Sequence, residues 1–279
     1  MREVHVSRIT EEVKSAVIKG NLELGQDMVE ALKGAQQKEE SPLGKEILGR
    51  LLENARIARE ERIPICQDTG FVVVFAQVGQ DVHLVGGSFQ EAIEEGVRRG
   101  YKEGYLRKSL CHPFSRKNTG DNTPVIVHTE ILPGEELRLW VVPKGGGGEN
   151  MSRLFMLPPS AGWNGIKERV IDTVVQAGPN PCPPTIVGVG IGGDFEQCAL
   201  LAKKALLRPV GTPNPDPELR SLEEELLEAI NNSGVGPQGL GGRITSLAVH
   251  ILLVPSHIAS LPVGVNIQCH ANRHIEIVL

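Results

Sequence analysis

The spacing of hydrophobic residues predicts helices along much of the chain. Ile9, Val13 and Val17 recur every four positions, which places them on one helix face. Ser41 followed by Pro42 suits the N-cap and first position of a longer helix. By the same reasoning, helices are expected over residues 9–20, 42–55, 88–104, 163–177, 195–207 and 217–231.

Other segments have the β-branched or continuous apolar pattern of strands. Strands are expected over residues 71–78, 125–132, 137–142, 185–191, 245–254, 263–267 and 274–278. Pro133 and Gly134 lie between the second and third of these, which predicts a hairpin. The apolar run over residues 275–279 predicts a packed C-terminal end.

Helices and strands are mixed without a regular β-α-β alternation. We therefore expect an α/β fold of the mixed α+β kind, formed as one domain over residues 1–279. Its N-terminal part is predicted to be helical. Mixed parallel and antiparallel sheets with surrounding helices are predicted to follow it.

Composition and charge exclude several classes of protein. The chain has 279 residues, of which 40% are hydrophobic and 23% charged, as in globular proteins. Its formal net charge is −5 and no basic block occurs, which argues against nucleic acid as a partner. Residues 244–265 are the most apolar, but Pro255 and Pro262 interrupt them, so no membrane partner is expected. The N-terminal residues lack the apolar core of a signal peptide, so we expect a cytoplasmic protein.

Two glycine-rich segments invite comparison with nucleotide sites. Gly188, Gly190 and Gly193 match G-x-G-x-x-G, but no acidic strand end follows about 20 residues later. A close strand-to-helix turn is the simpler interpretation. Lys144 precedes the four glycines 145–148, whose backbone N–H groups could cradle a carboxylate or phosphate; a flexible turn is the alternative.

Three of the five cysteines lie in loops rich in turn residues. These are Cys66, Cys182 and Cys269, whereas Cys198 falls within a helix and Cys111 is interpreted as structural. No C-x-x-C pair occurs, yet three separated thiolates can hold one [4Fe–4S] cluster and leave its fourth iron open. Buried cysteines without a metal are the alternative on spacing alone.

The residues beside the first of these cysteines carry chemistry of their own. Gln67, Asp68 and Thr69 bring amide, carboxylate and hydroxyl groups to the same loop. Asp before Thr-Gly is also a common turn former, so the residue type alone leaves both interpretations open.

Four segments together resemble one known family. PICQDTG (64–70), KGGGGEN (144–150), PCPPTIVGVGIGG (181–193) and SHIASLPVGVNIQCHANRHIEI (256–277) are similar to class I, iron–sulfur fumarate hydratases. The chain most resembles the α subunit of the two-subunit fumarase and L-tartrate dehydratase group. The resemblance covers nearly the whole chain and implies a separate β subunit that carries the second half of the active site.

The resemblance also implies roles for individual residues. Cys66, Cys182 and Cys269 match the three ligands of the [4Fe–4S] cluster. Asp68 matches an acid that transfers a proton. Substrate-binding positions of the family are matched by Gln67, Arg107, Gly147 and His257. Without the resemblance, Arg107 would be interpreted as a solvated charge and His257 as a loop histidine. The sequence departs from the family pattern at Gly148 and Leu261, neither of which is a matched ligand.

These implications predict a hydro-lyase that converts fumarate and malate reversibly, with a small dicarboxylate as substrate. L-tartrate dehydratase is the nearest alternative. A non-enzymatic zinc-binding or assembly module is an alternative of another class, and a dinucleotide-binding protein is a third. The expected assembly is a hetero-oligomer of α and β chains, with an α homodimer as the state of the isolated chain.

Overall fold

A computed structural model describes residues 2–279. Its helices are α1 (Val6–Leu22), α2 (Gln26–Lys38), α3 (Pro42–Glu61), α4 (Phe89–Glu103), α5 (Gly146–Met151), α6 (Gly162–Ala177), α7 (Phe195–Ala205) and α8 (Pro217–Asn231). Its strands are β1 (Arg2–His5), β2 (Phe71–Gly79), β3 (Val82–Val85), β4 (Ile126–Leu132), β5 (Leu137–Lys144), β6 (Arg153–Leu157), β7 (Thr185–Gly193), β8 (Ser246–Ser256), β9 (Leu261–Gln268) and β10 (Ile275–Val278). The predicted mixed α/β class is confirmed.

Contacts between residues divide the described chain into two compact units. The first unit contains residues 2–24, 55–145 and 273–279, and the second contains residues 25–54 and 146–272. The expectation of a single domain over residues 1–279 stays a prediction. Every helix within residues 2–279 is too short or too polar to span a bilayer.

Local helix signals in the sequence are confirmed. The backbone N–H of Gly44 donates to Ser41 Oγ over 3.2 Å, and that of Glu91 donates to Ser88 Oγ over 3.3 Å. Each serine therefore satisfies a donor that the first helical turn leaves without an intrahelical partner. Helix α2 falls within the N-terminal part that is predicted to be helical, whereas α5, β1, β3 and β6 were not predicted and are too short to show a period.

The first unit is built on a four-stranded sheet with the order β10-β5-β2-β4. Helices α1 and α4 supply buried residues to the same hydrophobic core as this sheet, with Tyr101, Ile93 and Val13 fully buried. Strand β10 pairs antiparallel with β5, and Leu279 is buried. The prediction of a packed C-terminal end is thus confirmed.

The predicted hairpin around Pro133 and Gly134 is wrong. Strand β2 lies between β4 and β5, parallel to the first and antiparallel to the second. The connection 133–136 crosses the end of β2, where a Cβ on Gly79 would lie 2.3 Å from the carbonyl oxygen of Gly134. Most residues of β2 are buried, so its pairing on both edges outweighs the local turn signal.

The second unit contains a four-stranded sheet with the order β6-β9-β7-β8. Val187, Val189 and Ile191 of β7 join a core with residues of α6 and α8. The alternating glycines of β7 lie against α7: a Cβ would lie 2.0 Å from Ala202 O at Gly188 and 2.1 Å from Cys198 O at Gly190. These glycines therefore allow close packing of helix on sheet, as the simpler interpretation of the G-x-G-x-x-G pattern predicts.

Candidate active site

Residues 66–70 of the first unit form a loop whose backbone is held from several sides. The hydroxyl of fully buried Tyr101 donates to the carbonyl oxygens of Thr69 and Gly70, over 2.7 and 3.0 Å. Asn122 Nδ2 donates to Gly70 O over 3.1 Å, and Thr69 Oγ1 donates to Arg107 O over 2.5 Å. Burial raises the pKa of the Tyr101 phenol, so it stays protonated as a donor. The loop is thus preorganised.

Asp68 is held within this loop through both its side chain and its backbone. Its Oδ1 accepts hydrogen bonds from Gly70 N over 3.0 Å and from Ser109 Oγ over 3.2 Å. Its carbonyl oxygen accepts from Arg273 Nη1 over 2.9 Å. The bond to Gly70 N is the turn-forming role that the residue type allowed. The contact from Ser109 orients the half-buried carboxyl group beyond what the turn requires, and the contact from Arg273 holds the backbone.

The end of β5 lies directly against this loop. Gly70 has φ of +78°, and a Cβ there would lie 2.5 Å from the carbonyl oxygen of Lys144, so only glycine fits. A Cβ on Gly145 would lie 3.3 Å from Asp68 Oδ2. Lys144 itself is buried, with 1% of its surface exposed. Gly145, the first of the four glycines, therefore lies directly beside the Asp68 carboxyl group.

The other site residues predicted in the first unit are half-buried or exposed. Cys66 is half-buried, and its Sγ lies 3.5 Å from Oε1 of the exposed Gln67. The side chain of Arg107 is exposed. Its backbone carbonyl oxygen accepts the hydrogen bond from Thr69 Oγ1. The structure thus brings Cys66, Gln67 and Asp68 together with the Arg107 backbone in one unit.

Cys182 and Cys269 lie at one end of the sheet in the second unit. Strand β7 begins just after Cys182 and β9 ends just before Cys269, and the antiparallel pair Ile186 and Gln268 aligns these two ends. Nδ1 of His270 donates to the carbonyl oxygen of Cys182 over 2.9 Å. Cys182 is exposed and has φ of +53°. A non-glycine residue in this left-handed region is uncommon and typical of functional loops.

Gly147 belongs to the short helix α5. A Cβ on Gly147 would lie 2.8 Å from the carbonyl oxygen of Asn180, two residues before Cys182. Glycine at this position therefore allows the helix to pack against the loop that carries Cys182. Gly147 is exposed, so its backbone stays accessible.

His257 lies at the opposite end of the same sheet. It belongs to the connection between β8 and β9, and its Nδ1 accepts from Ala259 N over 3.1 Å. The eight residues of β9 separate it from Cys269, and extended chain of that length spans about 25 Å. A small dicarboxylate is shorter than this distance. The structure therefore does not bring His257 together with Cys182 and Cys269 of the same chain.

The remaining two cysteines differ in their surroundings. Cys198 is fully buried, and burial raises the pKa of its thiol. Cys111 forms an isolated β-bridge with Asn118 in the first unit. Burial of Cys198 agrees with the packing role predicted for it, and the structural role of Cys111 stays a prediction.

The chemistry of the three loop cysteines suits an iron–sulfur cluster, whose irons take thiolate ligands. None of the five cysteines forms a disulfide. Within residues 2–279, no three His, Cys, Asp or Glu side chains are gathered as ligands of one metal ion. A four-iron cluster takes one thiolate per iron, so its ligands are spaced more widely than those of one ion. Loop cysteines such as Cys66, Cys182 and Cys269 supply the thiolate chemistry that such a cluster needs.

Sequence reasoning missed the residues that hold the Asp68 loop. Tyr101, Ser109, Asn122 and Arg273 contact this loop from positions far along the chain. The nearest signal was the segment CHANRHIEI, in which Arg273 follows Cys269 by four residues. None of the four residues stands in a local pattern that indicates a contact with Asp68.

Comparison with known proteins identifies the family. The family model described as "Fumarate hydratase (Fumerase)" matches residues 10–278. The chain belongs to this fumarate hydratase family. Membership confirms the resemblance found in the motifs, and it makes the chain a hydro-lyase.

Relatives of this fumarate hydratase family member carry names of tartrate dehydratases. A protein of Methanocaldococcus jannaschii named "Putative L(+)-tartrate dehydratase subunit alpha" is 44% identical over 256 residues, which cover 90% of each chain. The L(+)-tartrate dehydratase subunit alpha of Escherichia coli K12 is 33% identical over 272 residues, or 96% of this chain and 89% of that protein. The Shigella sonnei protein of the same name matches to the same extent.

Proposed function

We propose that the chain is the α subunit of an iron–sulfur hydro-lyase that adds water reversibly to fumarate to form L-malate. The observation that carries this proposal is the preorganised 66–70 loop, in which a half-buried cysteine and an oriented carboxyl group lie two residues apart. Family membership supports the reaction class.

Different residues of the chain have different roles in this reaction. Adding water across a carbon–carbon double bond requires a proton at one carbon and hydroxide at the other. Asp68 transfers the proton, since Ser109 and the Gly70 backbone orient its carboxyl group. The exposed guanidinium of Arg107 binds a substrate carboxylate, and Gln67 and the backbone of Gly147 contact the substrate.

Cys66, Cys182 and Cys269 are proposed to hold a [4Fe–4S] cluster. When bound, the cluster supplies an open iron that acts as a Lewis acid toward a substrate oxygen. The positions of these cysteines in loops, outside disulfides, support this assignment. Because such thiolates persist only where disulfides are not formed, we also propose a reducing, cytoplasmic location.

The partner of this chain is proposed to be a separate β subunit that completes the active site. The names of the relatives support this, since each is called a subunit alpha. The assembly is then a hetero-oligomer of α and β chains, with an α homodimer for the isolated chain. The extended strand β9 places His257 about 25 Å from Cys269. If it binds substrate, that substrate is therefore held by a different copy of the α subunit.

L-tartrate dehydration is the second candidate, and the names of the relatives favour it. The two reactions use the same elimination of water from a dicarboxylate and differ by one substrate hydroxyl. The resemblance assigns no residue of this chain to that extra hydroxyl, so the partner subunit is proposed to recognise it.

An activity panel tests these alternatives. The chain is co-expressed with the β subunit, purified without oxygen, and assayed with fumarate, mesaconate and L-tartrate. We expect the highest kcat/KM with fumarate. A clear preference for L-tartrate would favour the second candidate. A colourless protein with stoichiometric zinc, no sulfide and no absorbance near about 400 nm would instead support the zinc-binding or assembly module.

A further inference from the structure

Arg273 is a buried arginine of the first unit that contacts the Asp68 loop. Only 2% of its surface is exposed. Its Nη1 donates to the carbonyl oxygen of Asp68 over 2.9 Å and to Oδ1 of Asn21 over 3.0 Å. One guanidinium nitrogen thus joins the C-terminal part of α1 to the backbone of the proposed proton-transfer residue.

The burial of this cation is unusual. Arginine is almost never fully buried unless it is paired, because removing its charge from water is costly. The two acceptors of Nη1 are neutral oxygens, and Nε lies buried without a hydrogen-bond partner among residues 2–279. If this position required only packing, an apolar side chain of similar size would fill it without the free-energy cost of burying a charge.

Gly145 supplies an independent observation. A Cβ at this position would lie 3.6 Å from Arg273 Nη2 and 3.3 Å from Asp68 Oδ2. The guanidinium and the Asp68 carboxyl group therefore border the same small space, which glycine leaves open. Arg273 borders the Asp68 side chain as well as holding its backbone.

We propose that Arg273 is a positioning residue that sets the place and direction of the Asp68 carboxyl group during proton transfer. It does not touch substrate, because its guanidinium is buried. This inference rests on the proposed function, in which Asp68 transfers the proton. Guanidinium suits the role because its planar set of donors has a fixed geometry, whereas a lysine ammonium is a single flexible point charge.

The expected effect of Arg273→Lys is on kcat rather than KM. A displacement of about 1 Å at a reacting group can cost of the order of 10²-fold in rate. We therefore expect kcat to fall by about ten- to a hundredfold. KM should change little, because Arg107, Gln67 and Gly147 keep their substrate contacts.

Arg208→Lys is the matched control. Arg208 belongs to the second unit, where its Nη2 donates to Glu223 Oε2 over 2.6 Å and its Nε also lies buried without a hydrogen-bond partner among the residues described. Replacing it perturbs a buried arginine without a contact to Asp68. Both variants are studied as the complete complex with the β subunit, and kcat, KM and absorbance near about 400 nm are measured for each.

A second readout does not depend on activity. Hydrogen exchange of the peptide that contains residues 66–70 should be faster in Arg273→Lys than in wild type, and unchanged in Arg208→Lys. An unchanged kcat, or an equal loss of kcat in the two variants, overturns the proposal. If Arg273→Lys does not fold, Asn21→Ala replaces it: this variant removes one Nη1 acceptor and should also lower kcat and speed exchange at 66–70, and unchanged values overturn the proposal.

The two failures can be distinguished. If the wild-type complex has no hydro-lyase activity with any substrate of the panel, the proposed function fails. Exchange at residues 66–70 then still decides whether Arg273 holds the loop: faster exchange specific to Arg273→Lys supports positioning, and equal exchange in both variants overturns it.

Discussion

The hydroxyl of Tyr101 donates a hydrogen bond to the carbonyl oxygen of Thr69 over 2.7 Å. This contact ties α4 to the loop that carries Asp68, across 32 positions of sequence. Tyr101→Phe would leave Thr69 O buried without this donor. Since an unsatisfied buried polar group costs about 1–3 kcal/mol, we expect the free energy of unfolding to fall by that amount.

Chemical denaturation of the variant measures this loss. Tyr105→Phe is the matched control, because Tyr105 is 92% exposed and should show no change. Equal midpoints for the two variants would show that the Tyr101 hydroxyl does not stabilise the loop.

Replacing each proposed ligand should remove the cluster. Cys66→Ser, Cys182→Ser and Cys269→Ser are each expected to lose iron, sulfide and the absorbance near about 400 nm, because serine lacks the thiolate. Cys111→Ser and Cys198→Ala should keep all three. Iron analysis after anaerobic purification makes the measurement, and equal iron loss in all five variants would refute the three-ligand assignment.

Asp68→Asn should lower turnover while leaving the loop and the iron content unchanged. The amide oxygen of asparagine can still accept from Gly70 N and Ser109 Oγ, so the loop and the iron content should be retained. The amide cannot transfer the proton, so kcat should fall by about 10²-fold or more. Ser109→Ala, which removes one orienting bond, should have a smaller effect. Normal turnover by Asp68→Asn would remove the proton-transfer role.

Glu39 makes the stability of the second unit depend on pH. Its buried carboxylate accepts from the backbone N–H groups of Glu40, Ser41, Arg243 and Ile244. Burial by itself raises the pKa of Glu39, but these four bonds outweigh it and the pKa lies below its ordinary value. Because the folded-state pKa is lowered, the stabilisation is present above the unfolded pKa of about 4.3 and is lost as pH falls through the folded value.

Glu39→Gln tests this dependence. Its NH₂ group would face backbone donors, so at pH 7 we expect the variant to be less stable than wild type by about 1.5–3 kcal/mol. The difference should narrow as the pH falls below the unfolded pKa of about 4.3, because the unfolded wild-type chain then binds a proton more readily than the folded one. Urea titrations at several pH values measure it, with exposed Glu40→Gln as control. A difference that is independent of pH would contradict the assignment.

Gly190 should tolerate no side chain, because α7 packs directly on it. A Cβ would lie 2.1 Å from Cys198 O, so Gly190→Ala should destabilise by about 1–3 kcal/mol. Gly34→Ala is the control: apart from its chain neighbours and the backbone of its own helix, no described atom lies within 4 Å of the added Cβ. The variant should therefore be more stable than wild type by about 0.5–1 kcal/mol. Thermal denaturation compares them, and a stable Gly190→Ala would contradict the close packing.

The sequence predicted those parts of the fold that depend on neighbouring residues. Ser41 and Ser88 cap helices through bonds that span three residues, so the type and order of residues are sufficient to locate them. The same holds for long periodic helices such as α1 and α8. The hairpin around Pro133 was wrong because strand partners are chosen across the sheet, where β2 competes for both edges.

The features of the candidate site also fall into those that the sequence predicted and those that only the tertiary structure revealed. The sequence by itself determined the family and the residue types available for chemistry, including Cys66 and Asp68, because these follow from motifs in the chain. Only the tertiary structure decided which groups hold Asp68, since Tyr101, Asn122 and Arg273 reach its loop from 31 to 205 positions away. It also decided that His257 and Cys269 lie at opposite ends of β9. The physical reason is that such contacts depend on how distant segments pack, which no local pattern of residues encodes.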